Sequence, residues 1–439
     1  MEPRNIRTQA EDGLIATYRD AVGALPGGPA VAERREEAMA LFEKSGLPHR
    51  RVETWKYTDL RALMKIAAPL AGEADVAVLS ELGAGDPLAA LDRARIVIVN
   101  GRYRDDLSDL AGLDGVTVAP LADNLERAGS LFADTDDTAL ALNTALMQGG
   151  VVIDVAKDAK PARPIEIVHL AAAGVPAAVF TRDVITVGAN ANVHFVDSHR
   201  GPAGLGYQVN AVTELDVGPG AQVEWARLQA EGDSAQHIGS LVTRLAADST
   251  LNHLAVNAGG ALWRWQGFAT VGARGVTLGF AGATMLRGKE HGDQTLEVRH
   301  AEGWSSSREL FKSAVDDSAE GVFQGRIVVD PDAQKTDAKM MTQALLLSDV
   351  AQFAAKPELE IFADDVQCGH GATSGRIDDT HLFYLMARGI SEKTARGLLI
   401  KAFVAEIVEE LEDEKLVEAL EARLPGLVDE LRELLIPPD

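Results

Sequence analysis

VGANANV at 187–193, VGPGAQV at 217–223, LAADSTL at 245–251 and VGARGVTL at 271–278 are four versions of one short pattern. Each joins the end of a strand-like run to a turn of small and polar residues and then to a new apolar run. Their starts lie 30, 28 and 26 residues apart, with no helical pattern between them. Strand–turn–strand units returning at that interval predict the stacked rungs of a solenoid, since one such unit cannot bury its apolar face without a neighbour. Val, Leu and Ala would point inward, while Gly, Asn and Asp would make the corners. A β-sandwich is the competing reading, because turn signals alone do not decide strand order. The spacing favours a right-handed parallel β-helix.

Outward from there, Ile96-Val97-Ile98-Val99, Val151-Val152-Ile153, Ile165-Glu166-Ile167-Val168 and Val179-Phe180 carry β-branched strand character back to about Ala94. Phe311, Val315, Val322, Phe323, Ile327 and Val329 carry it forward. Before Ala94 the period is helical: 6–25 and 29–45 hold apolar residues at helix spacing, and Gly46-Leu47-Pro48 stops the second segment. In RRVETWKYTDL at 50–60, Arg50 and Arg51 read as a solvated basic pair, and Trp55 and Tyr57 as a plug between domains. After Gly375 the chain is helical again. Asp379 can cap a helix that stops at Gly389, and Ser391 can cap a second whose Leu399, Phe403, Ile407 and Leu411 form an apolar stripe. A shorter helical pair at 414–424 and 427–435 flanks Pro425-Gly426. The expected organisation is an N-terminal helical domain (1–93), a β-helix core (94–375) and a C-terminal helical domain (376–439).

Charge and composition exclude several function classes. The chain has 439 residues, with 42 Lys and Arg against 66 Asp and Glu, a net charge of −24. Neutralising phosphates needs a basic surface, so the global field argues against nucleic acid and anionic lipid as partners. No apolar run approaches the roughly 18–20 residues that span a bilayer. The opening MEPRNIRTQAEDG lacks the apolar region of a secretory signal. One cysteine rules out an intrachain disulfide, which fits a reducing cytosol. A single thiol also cannot supply the cysteine set that usually holds an iron–sulfur cluster. There is no GxxxxGK[ST] loop for ATP, no GxSxG elbow, no HExxH and no CxxC.

One constellation carries metal-ligand chemistry. In KPELEIFADDVQCGHGAT at 356–373, Cys368 stands two residues from His370 among glycines. Thiolate and imidazole both suit iron, copper or zinc, and glycines let a metal or a partner backbone approach closely. Two ligands are half of a tetrahedral site. Asp364, Asp365 or His381 could complete it, although strand alternation would send Asp364 and Asp365 to opposite faces. A packed cysteine beside a hydrogen-bonded histidine is the plainer alternative. The histidines at 194, 199, 253 and 291 are scattered among strands and read as structural.

KPELEIFADDVQCGHGAT, followed by LFYLMARGI at 382–390, resembles the C-terminal core of the SufB/SufD family of iron–sulfur cluster assembly proteins. RRVETWKYTDL resembles the N-terminal signature of the SufD branch. Gln334, Lys335, Thr336 and Asp337, with Leu345, Leu346, Leu347 and Ser348, match a further family signature. Met340 and Met341 depart from it, standing where most members have a polar or aromatic residue. The resemblance implies a non-catalytic, cytoplasmic scaffold subunit with a β-helix core between helical domains. It implies pairing with the paralogue SufB through the β-helix edge, or with a second copy in isolation, and docking of the ATPase SufC on the C-terminal helices. Leu382, Phe383, Tyr384, Leu385, Arg388 and Gly389 would form that docking surface. Cys368 and His370 would then be metal ligands shared with a partner chain, holding iron or a nascent cluster at the interface, with no cofactor bound tightly by this chain alone. The rivals are a SufB-type cluster scaffold and a β-helix enzyme acting on carbohydrate or acyl groups.

Overall fold

In the computed structural model, which describes residues 7–131 and 136–407, successive strands alternate between two sheets. The result is a parallel β-solenoid of about eight turns with helices at both ends. The four quoted segments stack along one axis. Val187 pairs with Val217, Val217 with Leu245 and Leu245 with Val271. All four side chains are fully buried in the core between the sheets. The sandwich reading fails because neighbouring strands in each sheet run parallel.

The shrinking repeat has a local cause. Across the three intervals the corner carrying the pattern keeps its length (188–191, 218–221 and 246–249), whereas the opposite connections run 201–207, 231–235 and 259–261, two residues shorter each time. That accounts for spacings of 30, 28 and 26. On this side of the solenoid each corner holds a residue in the left-handed region: Asp158, Asn190, Gly220, Asp248, Gly275, Trp304 and Lys335 all have φ between 57° and 77°. The Asn190 amide donates to Pro219 O (2.9 Å), Gly220 to Ala247 O (2.8 Å) and Asp248 to Arg274 O (2.9 Å), so each corner is bonded to the next. Asn, Asp and Gly tolerate this conformation, which is why they recur there. At Gly275, where φ is 77°, a Cβ would lie 2.1 Å from Asp248 Oδ1, so a side chain there would be strained and would force that carboxylate to move.

The two ends of the solenoid differ. At its start the sheets are closed by short antiparallel strands, Arg102–Tyr103 on Ala94–Val99 and Val116–Pro120 on Val151–Val155. At its finish the strands Gln352–Ile361 and Gln367–Gly375 are the outermost members of their sheets, and among the described residues nothing pairs beyond them. A full-length open strand edge is an invitation to pairing.

The N-terminal helices Gln9–Ala21 and Pro29–Ser45 lead into a segment that docks on the solenoid. Trp55 is completely buried, as the plug reading requires. The Arg264 guanidinium stacks over its ring at 3.9 Å, and its indole N–H donates to Asp137 at 3.1 Å. Arg264 is paired with Asp293 (2.5 Å), and the Thr58 hydroxyl bonds both Asp293 and His291. This buried ionic contact is satisfied on all sides, the condition under which such a pair is tolerated. Tyr57 is half-buried and takes a lesser part. At the other terminus, the helix Glu392–Ala405 packs Ile400, Val404 and Ile407 against Val256, Ala283 and Ala314 on the outside of the sheet. Ile407 is buried as the expected stripe requires, but on the two preceding turns the burial falls on Ile400 and Val404, and Leu399 and Phe403 are only partly covered. Leu411 and the segments 414–424 and 427–435 lie outside the described residues.

Within the core, Phe280, Glu309 and Met340 share one inward column. Glu309 is buried and, with Ser307 nearby, neither carboxyl oxygen accepts a well-aligned hydrogen bond. Burial pushes its pKa up from 4.5 to about 8. The folded value is the higher one, so its contribution to stability is intact below the unfolded value and is lost as pH rises towards about 8. Glu309→Gln should therefore flatten that loss. Urea unfolding at about pH 7.5 should find the variant more stable by on the order of 2–4 kcal/mol, with little difference near pH 4. An equal or lower stability at the higher pH would show that the carboxyl is not held protonated. By contrast Phe280→Ala, which empties a fully buried site, should cost about 3–5 kcal/mol at either pH in the same measurement.

Candidate metal and partner site at the open end

Cys368 and His370 sit on the terminal strand Gln367–Gly375, whose register against Asp337–Leu346 places Cys368 beside Ala338 and His370 beside Met340. Ala338 and Met340 are buried members of the core, so the alternation of the strand aims both candidate ligands towards the core's open end. Cys368 is half-buried and packs against that core, while His370 is exposed because no further rung covers it. The sequence therefore placed the two residues on one face, and the structure brings them together there. Burial raises the Cys368 thiol pKa, and the carboxylates of Asp337 and Glu309 raise it further. Such a thiol stays protonated until a metal or a cationic partner favours the thiolate.

The other suggested ligands do not join them. Asp364 and Asp365 lie on the bend between the last two strands rather than within a strand, so alternation does not apply to them. Asp365 is engaged at the corner: its carbonyl accepts from the Lys335 amide at 2.6 Å and its carboxylate pairs with the Lys335 ammonium. His381 is exposed on the helix Asp379–Ala387. Among the described residues, the Cys368–His370 pair thus has no third ligand gathered around it.

Two features flank the pair. A groove of about 750 Å³ borders the same strand, reaching Leu310, Met341, Gly369 and Gly371, with Arg308 and Lys339 along it. A Cβ at Gly369 would meet nothing within 4 Å, so its surface is open. The helix Asp379–Ala387, capped by Asp378, buries only Leu382. Phe383, Tyr384 and Met386 are 72%, 57% and 42% exposed, far beyond what a helix with no partner would usually show side by side. Arg388 stacks on the Tyr384 ring at 4.9 Å and donates to its hydroxyl at 3.0 Å, which fixes the patch in one arrangement. Gly389, at φ 85°, ends the helix. Leu385 is half-buried beneath the patch.

The scattered histidines fall into distinct surroundings. His291 belongs to the Thr58 docking contact, and His253 stacks on Trp265 at 4.9 Å. His194 is half-buried on its strand. His199 is different: it meets His169 and Asp197 inside the solenoid. That grouping was missed in the sequence, although the signal was present. Asp197 and His199 alternate onto one face, and His169 precedes His199 by one 30-residue turn.

Comparison with known proteins agrees with this architecture. Residues 169–403 match the family described as "SUF system FeS cluster assembly, SufBD core domain", and residues 10–167 match the "SufBD protein N-terminal region". The chain is 34% identical over 397 residues to the iron–sulfur cluster assembly protein SufD of Escherichia coli, covering 87% of this chain and 90% of that one. It is 30% identical over 427 residues to an iron–sulfur cluster assembly SufBD family protein of Synechocystis, covering 93% and 92%. It is also 33% identical to the chloroplastic protein ABCI7 of Arabidopsis thaliana over 231 residues, 51% of this chain and 47% of that one. No helix among the described residues is long and apolar enough to cross a membrane. With matches running through both helical and solenoid regions, the chain belongs to the SufB/SufD family of iron–sulfur cluster assembly proteins, and within it is most simply read beside SufD.

Proposed function

We propose that this chain is a non-catalytic, cytoplasmic scaffold subunit that pairs with a SufB paralogue and docks the ATPase SufC. The observation that carries this reading is the asymmetry of the solenoid: one end closed by antiparallel strands, the other left as an open edge bearing Cys368 and His370. Backbone donors and acceptors along Gln352–Ile361 and Gln367–Gly375 are available for strand addition, the mode that best suits a paralogue with the same rungs. In the absence of the paralogue, a second copy of this chain would offer the same match. Cys368 and His370 would then supply two ligands for iron or a nascent cluster, and the partner would supply the rest. The protonated thiol is consistent with a site that matures only on assembly.

The same reading gives the exposed helix its role. Of the six expected residues, Phe383, Tyr384 and Arg388 form the exposed patch with half-buried Leu385 and the Gly389 stop, while Leu382 is buried and anchors the helix; a patch backed by a helix packed on the solenoid suits docking of SufC without distortion of the core.

His370→Ala should leave folding and complex formation intact while lowering cluster assembly by the complex at least tenfold, measured as cluster formed on the co-purified subunits. Cys368→Ser should act likewise. Normal assembly by both variants would reject the shared site. Tyr384→Asp should weaken capture of SufC by more than tenfold in a binding titration while circular dichroism of the isolated chain is unchanged. Unaltered SufC affinity would remove this helix from the docking surface.

A further inference from the structure

The inward columns of the solenoid are mostly apolar, yet one of them is polar through successive rungs. His169 is followed by His199, Gln229, Asn257 and Thr284 at paired positions. Beside it, Asp197 stands between Ile167 and Arg227 in the neighbouring column. Nε2 of His199 lies 2.9 Å from Asp197 Oδ1, and Nε2 of His169 lies 3.6 Å from the same oxygen and 3.1 Å from Asp183 Oδ2. One ligand atom from each of His169, Asp197 and His199 falls within 4.8 Å of the others, and all three residues are buried. Despite those contacts, Asp197 Oδ1 has no donor aimed at it with hydrogen-bond geometry, and His169 Nδ1 also lacks a partner.

Stability does not require this arrangement. Apolar residues of similar volume at such positions usually pack as well or better than buried ions, and Ile167 and Phe195 do so one step away. The unmet oxygen is what a missing cation would explain. We propose that His169, His199 and Asp197, with Asp183 as the fourth ligand, form a buried site for one divalent first-row cation of the zinc or ferrous-iron class, separate from Cys368 and His370. Imidazole with carboxylate is the donor set such ions take, whereas the absence of thiolate disfavours cuprous copper. The two imidazoles stack at 4.4 Å with planes 6° apart, so one ring turns out of the stack for both Nε2 atoms to meet an ion at about 2.0–2.1 Å. Arg227 Nε, 3.6 Å from Asp197 Oδ2, is the outer contact that orients the carboxylate. Arg227 is in turn held by Asn257 and His237, each at 2.9 Å. A void of about 10 Å³ lies beside Asp197 and His199, on the side of Arg227 and Trp265, and does not reach His169 or Asp183; the ion itself would sit among the four ligand atoms, and the enclosure excludes a cluster. Because the site is enclosed, the ion enters as the chain folds.

The test uses the full chain carrying Cys368→Ser and His370→Ala, so that the open-end pair cannot contribute. It is unfolded with chelator present, refolded with equimolar Co2+ and desalted. The expected result is about one Co2+ retained per chain, with the intense ligand-field absorption of four-coordinate cobalt, and loss of that absorption when Zn2+ is present during refolding. Asp197→Asn and His199→Gln, introduced separately and checked for folding, should each lower retention at least tenfold. Refolded protein that retains no Co2+ would overturn the site, as would undiminished retention in both folded variants. Should neither variant fold, the parent chain decides alone: four-coordinate bands support the site and their absence refutes it.

Discussion

The hydrogen-bonded ladder between successive rungs is the constraint on which everything else rests. Each strand satisfies its backbone only through the strand one turn before it and the strand one turn after it. That fixes the register, and the register fixes columns: a residue at one position determines which side chains lie above and below it. It also sets an unavoidable problem at the termini, where one side of the ladder has no partner. The chain resolves it at the start with two antiparallel strands and leaves it unresolved at the finish. In a protein that worked alone, a long bare edge would be a liability. In a subunit of an assembly it is the natural place to join.

The same columns explain why buried polar groups on the sheets fall into sets, some outside the solenoid and some within it. Trp55, Thr58, Arg264, Asp293 and His291 form a set that holds the N-terminal segment to the outside of one sheet, with their polar atoms matched. Glu309 is the opposite case, a carboxyl buried among Phe280, Met340 and their neighbours that stays neutral because ionisation has nothing to support it. The His169–Asp197–His199 group lies between these extremes, with close charged neighbours and one oxygen unmatched.

Much of this was legible in the sequence. The corner pattern at 187, 217, 245 and 271 carried the solenoid because Gly, Asn and Asp at left-handed positions leave a local signature that does not depend on distant contacts. Trp55 was readable as a plug for a similar reason, a large amphipathic ring in a short charged segment. Asp364 and Asp365 were misplaced because a strand-like run before them hid the corner on which they sit. The stripe at the last described helix was right at Ile407 and off by one residue at 399 and 403, since apolar positions 399, 400, 403, 404 and 407 fit two adjacent lines and only packing on Val256 and Ala283 selects between them. The histidine–aspartate group was missed because its signal is not local: Asp197 and His199 alternate onto one face, but His169 joins them only through the 30-residue register.

The central claim is that the open end of the solenoid is completed by another chain. Amide hydrogen exchange, followed peptide by peptide in the dilute isolated chain and again with the SufB paralogue bound, tests it most directly. The account predicts strong slowing of exchange in Gln352–Ile361 and Gln367–Gly375 on binding, with the strands Arg102–Tyr103 and Val116–Pro120 at the other end unchanged. Complex formation that left exchange in the two terminal strands unaltered, or that protected the closed end instead, would contradict it.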